Sequence, residues 1–519
     1  MRKAITTAAP TWEARYYADR LHDVNPMGDV GLILLWSPYE HVRKKLAREA
    51  PAVLDPARSR VATVANLYGD GLHGMLSNLL YNPQVRHLIA FGRKLGQDSC
   101  AEIEALLAHG LEETTLLGAP MLRIPGTSRY FRRGNGLDVT PLQERLTFTY
   151  AGKPSDDGAM ERVVGLLDTL PRADPDDLGE RVLVDIPDPD PREQRPSEIA
   201  GHQVIRATPL AAWEELVVRT MRFGRVATLA DESTRLELHN VKTVITDPRE
   251  HSREALARYG FDLEQFQRYQ EAILDPELPV DISYNYGNRL RAHFDQGAGA
   301  DMLHTIIEKL RKQPRTRGAY LSLWDNTRDL AGVGAPPGAA TPCLVSLQFR
   351  ETGDRLALTA TYRVHNLLTA WLQNVYGLMA ILDHVAVNTD LAPGPMTVIS
   401  QLLGIDPSSS RYGPAMELER SWQRDDDVDH DNRKSSIRED PNGHFVVTAD
   451  TLRGVVIAEH YYAGNLIKRY EERSGLKIQQ KISGDMAISQ VSHALWIARE
   501  LTLAEQELRT VTDGREEGR

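Results

Sequence analysis

A chain of 519 residues is too long for one ordinary core, so two domains are expected. With 41% hydrophobic and 26% charged residues it has the balance of a soluble globular protein, and a formal net charge of −11 argues against a nucleic acid polymer as partner. Two cysteines exclude a disulfide framework and a multi-cysteine zinc site, so no metal is expected and a reducing, cytoplasmic location is. No stretch approaches about 18 uninterrupted apolar residues. The opening "MRKAITTAAPTWEARYY" lacks the apolar core of a signal peptide, so neither a leader nor a membrane span is expected.

In chain order, the first half alternates strand-like and helix-like blocks. "DVGLILLW" (29–36) is a short apolar run followed by the helical "EHVRKKLAREA". "RVATVANLY" (60–68) precedes "GLHGMLSNLLYNP", and "RHLIAFG" (86–92) precedes "CAEIEALLAHG", a helix closed by glycine. Such alternation predicts an α/β domain with a mostly parallel sheet. The proline-rich, charged "DIPDPDPREQRPSE" (185–198) is the linker candidate. Beyond it come a helix, "PLAAWEELVVRTMRFG", and an alternating strand, "TRLELHNVKTVITDP". "ADMLHTIIEKLRKQ" (300–313) has the spacing of an amphipathic helix. Residues 340–368 read as a strand pair, a polar knot and the start of a long apolar helix. "RDDDVDHDN" (424–432) is an acidic, solvated loop; "GHFVVTAD" is a strand, followed by helices and a charged tail expected to be disordered.

Cys343 sits after a proline at the head of the first strand of that pair. Taken bare, a cysteine there reads more readily as a small buried hydrophobe than as a nucleophile. An unperturbed thiol is only about 3% thiolate at neutral pH. Catalysis would need a cationic setting, and the arginines nearby are candidates to provide one.

The segment from about 281 to 405 resembles thymidylate synthase in its divergent, archaeal-type form. "VDISYNYGNRLR" (280–291) is similar to the family's Asp-Leu-Gly-x-x-Tyr-Gly-x-x-x-Arg stretch. "ADMLHTIIEKLRKQPRTRGAYLSLWD" is similar to its Asp-Gln helix, Pro-x-Ser-Arg-Arg turn and Ser-x-Trp-Asn. "TPCLVSLQF" resembles the Pro-Pro-Cys-His nucleophile strand, and "YRVHNLLTAWLQNVYGL" the Gln-Arg-Ser-x-Asp run with its asparagine eleven residues after the arginine. "REDPNGHFVV" (438–447) and "HALWIAREL" (493–501) resemble the archaeal-type C-terminal region. "VGLILLWS", "VANLYGDGLHGMLSNLLYNPQVRHLIAFGRK" and "RIPG" resemble the corrinoid-binding component of tetrahydromethanopterin methyltransferase, whose ligand histidine has no counterpart between His87 and His109. The expected organisation is therefore 1–185, an α/β domain resembling that tetrahydromethanopterin methyltransferase component and serving as a cofactor-free scaffold; 186–200, linker; 201–510, an α+β thymidylate synthase-like catalytic domain; and 511–519, a disordered tail.

The resemblance implies one-carbon transfer to C5 of a uridylate (dUMP- or UMP-like), with 5,10-methylenetetrahydrofolate or a related reduced pterin as cofactor. Cys343 would be the nucleophile and Tyr286 would help remove the C5 proton. Arg363 and Arg317 would hold the phosphate, Arg317 from across a homodimer interface, with Arg235 a further candidate and Arg315 read as a solvated surface arginine. Asn374 would read the uracil edge, since cytosine-specific relatives carry aspartate there. Asn366 stands where the family binds pterin with an aspartate. Leu344, Val364 and Gly318 replace the family's histidine, serine and second arginine. Gly404 and Asp406 stand where a His-x-Tyr pair contacts the sugar, and Glu264, Glu271 and Glu237 are candidates for the catalytic glutamate. The departures fall where sugar and pterin would sit, which points to a specialised member acting on an unusual uridylate. A 5-methyl product is expected; a 5-hydroxymethyl product and a non-catalytic nucleotide sensor are the alternatives.

Overall fold

The computed structural model describes residues 11–516 apart from 70, 95–97, 134–135, 175–177, 187–194, 231, 280–281, 283, 295–300, 331–340, 423–427, 430–433 and 436–439. The greater part of the expected linker and of the acidic loop lies outside the described residues. The chain forms two compact units, residues 1–424 with 429–433, and residues 425–428 with 434–519.

The first unit opens with β1 (Val30–Leu35), α1 (Tyr39–Glu49), β2 (Val61–Ala65), α2 (Gly71–Tyr81), β3 (His87–Arg93), α3 (Ser99–His109) and β4 (Thr147–Gly152). All six residues of β1 are buried, as a central parallel strand covered on both faces requires. The strands lie in the order β2-β1-β3-β4, all parallel, with the short strand Leu21–Asp23 antiparallel on the β2 edge.

The same unit continues through α4 (Pro209–Phe223), β5 (Thr234–Ile245), α5 (Leu263–Ala272), α6 (Tyr286–Arg291), α7 (Met302–Lys312), β6 (Tyr320–Ser322), β7 (Leu344–Thr352), β8 (Arg355–Asn366), α8 (Trp371–Val387) and β9 (Ala392–Ile405). These strands make a mixed, seven-stranded sheet in the order β5-β9-β8-β7-β6, with Arg225–Thr228 and Gln203–Arg206 both paired to β5. Only β8–β9 and the Gln203–Arg206 pairing are parallel. Gly353 (φ 68°) supplies the left-handed residue in the two-residue turn between β7 and β8. Helix α8 buries Trp371, Leu372, Val375, Leu378 and Ile381 against the sheet, which explains its nearly all-round apolar sequence.

A disturbance in the strand alternation of this sheet positions the site. Along β8 the buried positions are Leu356, Leu358, Ala360 and Tyr362, and then His365. Along β9 they are Met396, Val398 and Ser400, and then Leu403 and Ile405; along β5 they step from Leu236 and Leu238 to Val241 and Thr243. The three steps lie side by side, because Tyr362 pairs with Ser400 and Ser400 with Val241, while His365 pairs with Leu403 and Leu403 with Leu238. A strand of period two that shifts by one exchanges its faces. Asn240, with φ 49°, absorbs the change on β5, and β7 carries a register shift between Leu344 and Ser346. A row of kinks thus crosses the sheet, and Arg363 lies in it.

The second unit has an antiparallel sheet of β10 (His444–Asp450), β11 (Val455–Tyr462) and β12 (Asn465–Glu472), with α9 (Gly475–Gly484) and α10 (Val491–Glu516). Phe445, Val456, Ala458, Tyr470, Ile478, Ile497 and Leu501 form its core. Residues 438–447 and 493–501, expected above to belong to the catalytic domain, fall in this unit. Helix α10 runs to Glu516, through most of the stretch where a disordered tail was expected, and 517–519 lie outside the described residues.

Candidate active site

Cys343 immediately precedes β7 and is partly buried. Its carbonyl accepts from the backbone N–H of Arg363 (2.9 Å), so the kink on β8 fixes the nucleophile loop directly. The Arg363 guanidinium reaches back over the same loop. Nε donates to the Pro342 carbonyl (2.9 Å) and Nη2 to the carbonyl (3.0 Å) and hydroxyl of Thr341, with the Trp324 ring 5.6 Å away. Among the described residues its Nη1 makes no hydrogen bond, which leaves one edge of the fork for an anion. Burial pushes the Cys343 thiol up, while the positive charges of Arg363 and Arg235 pull it down. The charges of Arg363 and Arg235 therefore both reach the thiol.

Arg317 is elsewhere. It is exposed in the turn between α7 and β6. Tyr320 pairs with Gln348, and Phe349 donates to the Ala319 carbonyl, so this turn lies beside the far end of β7. Some seven strand residues, roughly 23 Å, separate it from Cys343. A surface hollow of about 530 Å³ lined by Gln313, Pro314, Arg315, Thr316 and Glu351 opens at that turn, not at Cys343. The Arg315 side chain is 90% exposed, as a solvated arginine should be.

Tyrosines crowd the thiol. The Tyr286 hydroxyl accepts from the Leu344 N–H (3.2 Å), one residue from the sulfur. Tyr269, Tyr284, Tyr286 and Tyr362 are all pushed above the ordinary phenol range by burial, and the charge of Cys343 acts on each in the same direction. Tyr284 is hydrogen-bonded to Tyr286, their rings 5.9 Å apart.

Asn374, on the first turn of α8, is 8% exposed. Its Oδ1 accepts from the Tyr269 hydroxyl (2.8 Å), and its Nδ2 lies 3.0 Å from Nε2 of His365. The other ring nitrogen of His365 is 3.0 Å from Oγ of Ser400. An amide has two acceptor sites and two donors, so one of each is left for a ligand. The sequence motifs mark Tyr286 and Asn374 but not what holds them: Tyr269, His365 and Ser400 come from three separate elements and carry no local signal.

The remaining candidates separate cleanly. Glu264 is exposed and paired with Arg253 (2.9 Å), and Glu271 is exposed on the same helix. Glu237 is buried on β5, two residues from Arg235, and the two side chains flank Gly404 with Cγ and Cδ at 3.8 and 3.7 Å from where a Cβ would stand. Asp406 turns its Oδ1 back to the N–H (2.8 Å) and hydroxyl (2.6 Å) of Ser408. Asn366 spends both acceptor sites of its Oδ1 on the N–H groups of Leu368 (3.2 Å) and Thr369 (3.3 Å). It caps the turn into α8 and does not fit the gripping of a pterin's N3–H and 2-amino group. Among the described residues no group of three or more His, Cys, Asp or Glu is placed to hold a metal, and no helix is long and apolar enough to cross a membrane.

Comparison with known proteins gives two family matches. Residues 233–403 match the family model described as Thymidylate synthase, and residues 439–516 match PterinBD-DUF4346. A protein of Methanothermobacter thermautotrophicus named "Putative thymidylate synthase" is 30% identical over 203 residues, 36% of this chain and 86% of that protein. Relatives of the same name from Methanothermobacter marburgensis and Methanococcoides burtonii are 30% and 31% identical, over 85% and 70% of their lengths and 36% and 32% of this chain. The two family matches leave residues 1–232 outside.

Proposed function

The chain belongs to the thymidylate synthase family, and from that premise we propose that it activates C5 of a uridylate-type nucleotide through a Cys343–C6 adduct, leading to a 5-methyl product. The observation that carries the reading is the convergence on one partly buried thiol of two guanidinium groups and, through Tyr269, the amide of Asn374. The thiolate sulfur adds to C6, the C5=C6 electron pair moves onto C5 and O4, and C5 becomes nucleophilic. One steep barrier is thereby divided into smaller ones. The free edge of Arg363, with Arg235, binds the phosphate; the free donor and acceptor of Asn374 meet O4 and N3–H. Tyr286, bonded to the Leu344 amide, holds the sulfur's backbone in place and stands beside the proton to be removed. Glu237 is the carboxylate best placed to serve this face of the sheet.

A reduced pterin, when bound, supplies the one-carbon unit and, for a methyl product, the hydride. The matched region 439–516 supports such a cofactor, whereas Asn366 does not supply the contact, so the chemistry derived from this chain's residues ends at the C5 nucleophile. That same engagement of Asn366 favours, as a second reading, a nucleotide-binding protein without pterin chemistry. A cytoplasmic homodimer with residues 1–185 as scaffold completes the proposal.

Exchange of the C5 hydrogen of dUMP or UMP with solvent tests it, because exchange needs the Cys343 adduct and no pterin. The expected result is exchange by the wild type and none by Cys343→Ser, which still binds nucleotide. Binding without exchange in the wild type, for every uridylate tried, would establish the sensor instead.

A further inference from the structure

The structure assigns to His365 the role of a positioning residue that fixes which way the Asn374 amide faces, and so whether the site reads a uracil or a cytosine edge. This deepens the nucleotide reading above and rests on it. A carboxamide is nearly symmetric in shape. Turned half-way round its terminal bond, an asparagine exchanges its C=O and its NH2 at nearly the same positions. The edge it offers changes from acceptor–donor, which suits N3–H and O4 of uracil, to donor–acceptor, which suits N3 and the 4-amino group of cytosine. Asparagine alone is therefore not a uracil reader. Something has to hold the amide.

Two groups do so here. Tyr269 bonds Oδ1 at 2.8 Å, and Nε2 of His365 lies 3.0 Å from Nδ2. A tyrosine hydroxyl donates and accepts alike, so Tyr269 does not choose between the two orientations. His365 does. It is 1% exposed, stacked on Tyr362 with ring centroids 4.1 Å apart, and burial pushes its imidazole down to about 3. It is neutral at physiological pH, with one protonated nitrogen. With the proton on Nδ1, donated to Ser400 Oγ at 3.0 Å, Nε2 must accept, and only the NH2 end of Asn374 can face it. Ser400 is 1% exposed on β9, in the row of kinks that also carries His365. The base-reading edge is thus set behind the base, by the tautomer of His365 that carries its proton on the side of the Ser400 hydroxyl.

The test compares dissociation constants of a uridylate and a cytidylate monophosphate for the full-length wild type, His365→Leu, Ser400→Ala and His365→Gln. The expected result is a uridylate preference in the wild type that falls by about tenfold or more in His365→Leu and Ser400→Ala, chiefly because the cytidylate binds relatively better. His365→Gln keeps a polar partner for Asn374 but can turn its own amide, so its preference should fall between those of the wild type and His365→Leu. A packing role alone would weaken both nucleotides in step. An unchanged ratio in both His365→Leu and Ser400→Ala overturns the inference while leaving the nucleotide site standing. Failure of the wild type to bind either nucleotide overturns the nucleotide reading and this inference with it.

Discussion

The two thiols of this chain differ in surroundings, and that difference can be measured. Cys100, on α3, is fully buried, and burial pushes it up to about 12. Cys343 is also pushed up by burial, but Arg363 and Arg235 oppose the rise. The thiolate is the nucleophile, so native alkylation with iodoacetamide near pH 8.5 should modify Cys343 and spare Cys100 by on the order of a hundredfold, read by mass spectrometry of the peptides. Arg235→Gln removes one opposing charge without touching the bonds by which Arg363 clasps Thr341 and Pro342. Its thiol should titrate higher than the wild type's, so alkylation of Cys343 slows at every pH below full ionisation and the rate profile moves to higher pH. A profile that stays put would remove Arg235 from the site.

At the scale of elements, Gly287 shows how the fold holds Tyr286. A Cβ at Gly287 would stand 1.9 Å from the Asp275 carbonyl oxygen and 3.0 Å from that of Ala272, both backbone atoms that cannot swing aside. Gly287→Ala should therefore destabilise by about 1–3 kcal/mol, seen as a lower Tm, and should lower C5-hydrogen exchange further than the stability loss explains, because Tyr286 moves off the Leu344 amide. In the second unit Asp440 joins the approach to β10 to the start of α10, accepting from Ser489 N–H (3.0 Å) and Oγ (2.7 Å), Gln490 N–H (3.1 Å) and His493 Nδ1 (2.9 Å). Burial alone would raise its carboxyl, but the bond from Asn442 N–H (3.0 Å), together with these, holds it down at about 2. A carboxyl depressed in the fold adds stability above its unfolded value, and that stability is lost as pH falls toward about 2. Asp440→Asn should cost about 2 kcal/mol at neutral pH and flatten the acid limb of the unfolding curve. The elements themselves are legible in the sequence: the apolar run of β1, the alternation of β5 and the 3.6 period of α7 are local patterns. The row of kinks is not, since it is a property of three strands side by side. His365 stands in a quoted motif yet gives no sign, because its partner Ser400 is 35 positions away and the bond that completes the chain, from Tyr269 to Asn374, spans 105.

At the scale of the whole molecule, the proposed homodimer assigns a place to Arg317 that can be tested. The resemblance has Arg317 hold the nucleotide phosphate of the other protomer, and strand register puts it roughly 23 Å from its own Cys343, beyond the reach of any arginine side chain. Spacing along a sequence says which residues share a motif and nothing about which copy of the chain they serve. In the proposed homodimer a symmetric interface would set one patch against its own copy and let each chain lend Arg317 to the other's thiol. Mixing of protomers decides the matter. Cys343→Ser and Arg317→Ala should each be inactive in C5-hydrogen exchange. Unfolded together in equal amounts and refolded, half of the dimers are mixed, and each mixed dimer holds one site with an intact thiol and an intact arginine, so about one quarter of wild-type activity returns. If Arg317 acted within its own chain, every site in the mixture would lack one of the two groups and nothing would return. If Arg317→Ala alone kept full activity, the phosphate would belong to Arg363 and Arg235, and the turn at the far end of β7 would have no part in the chemistry.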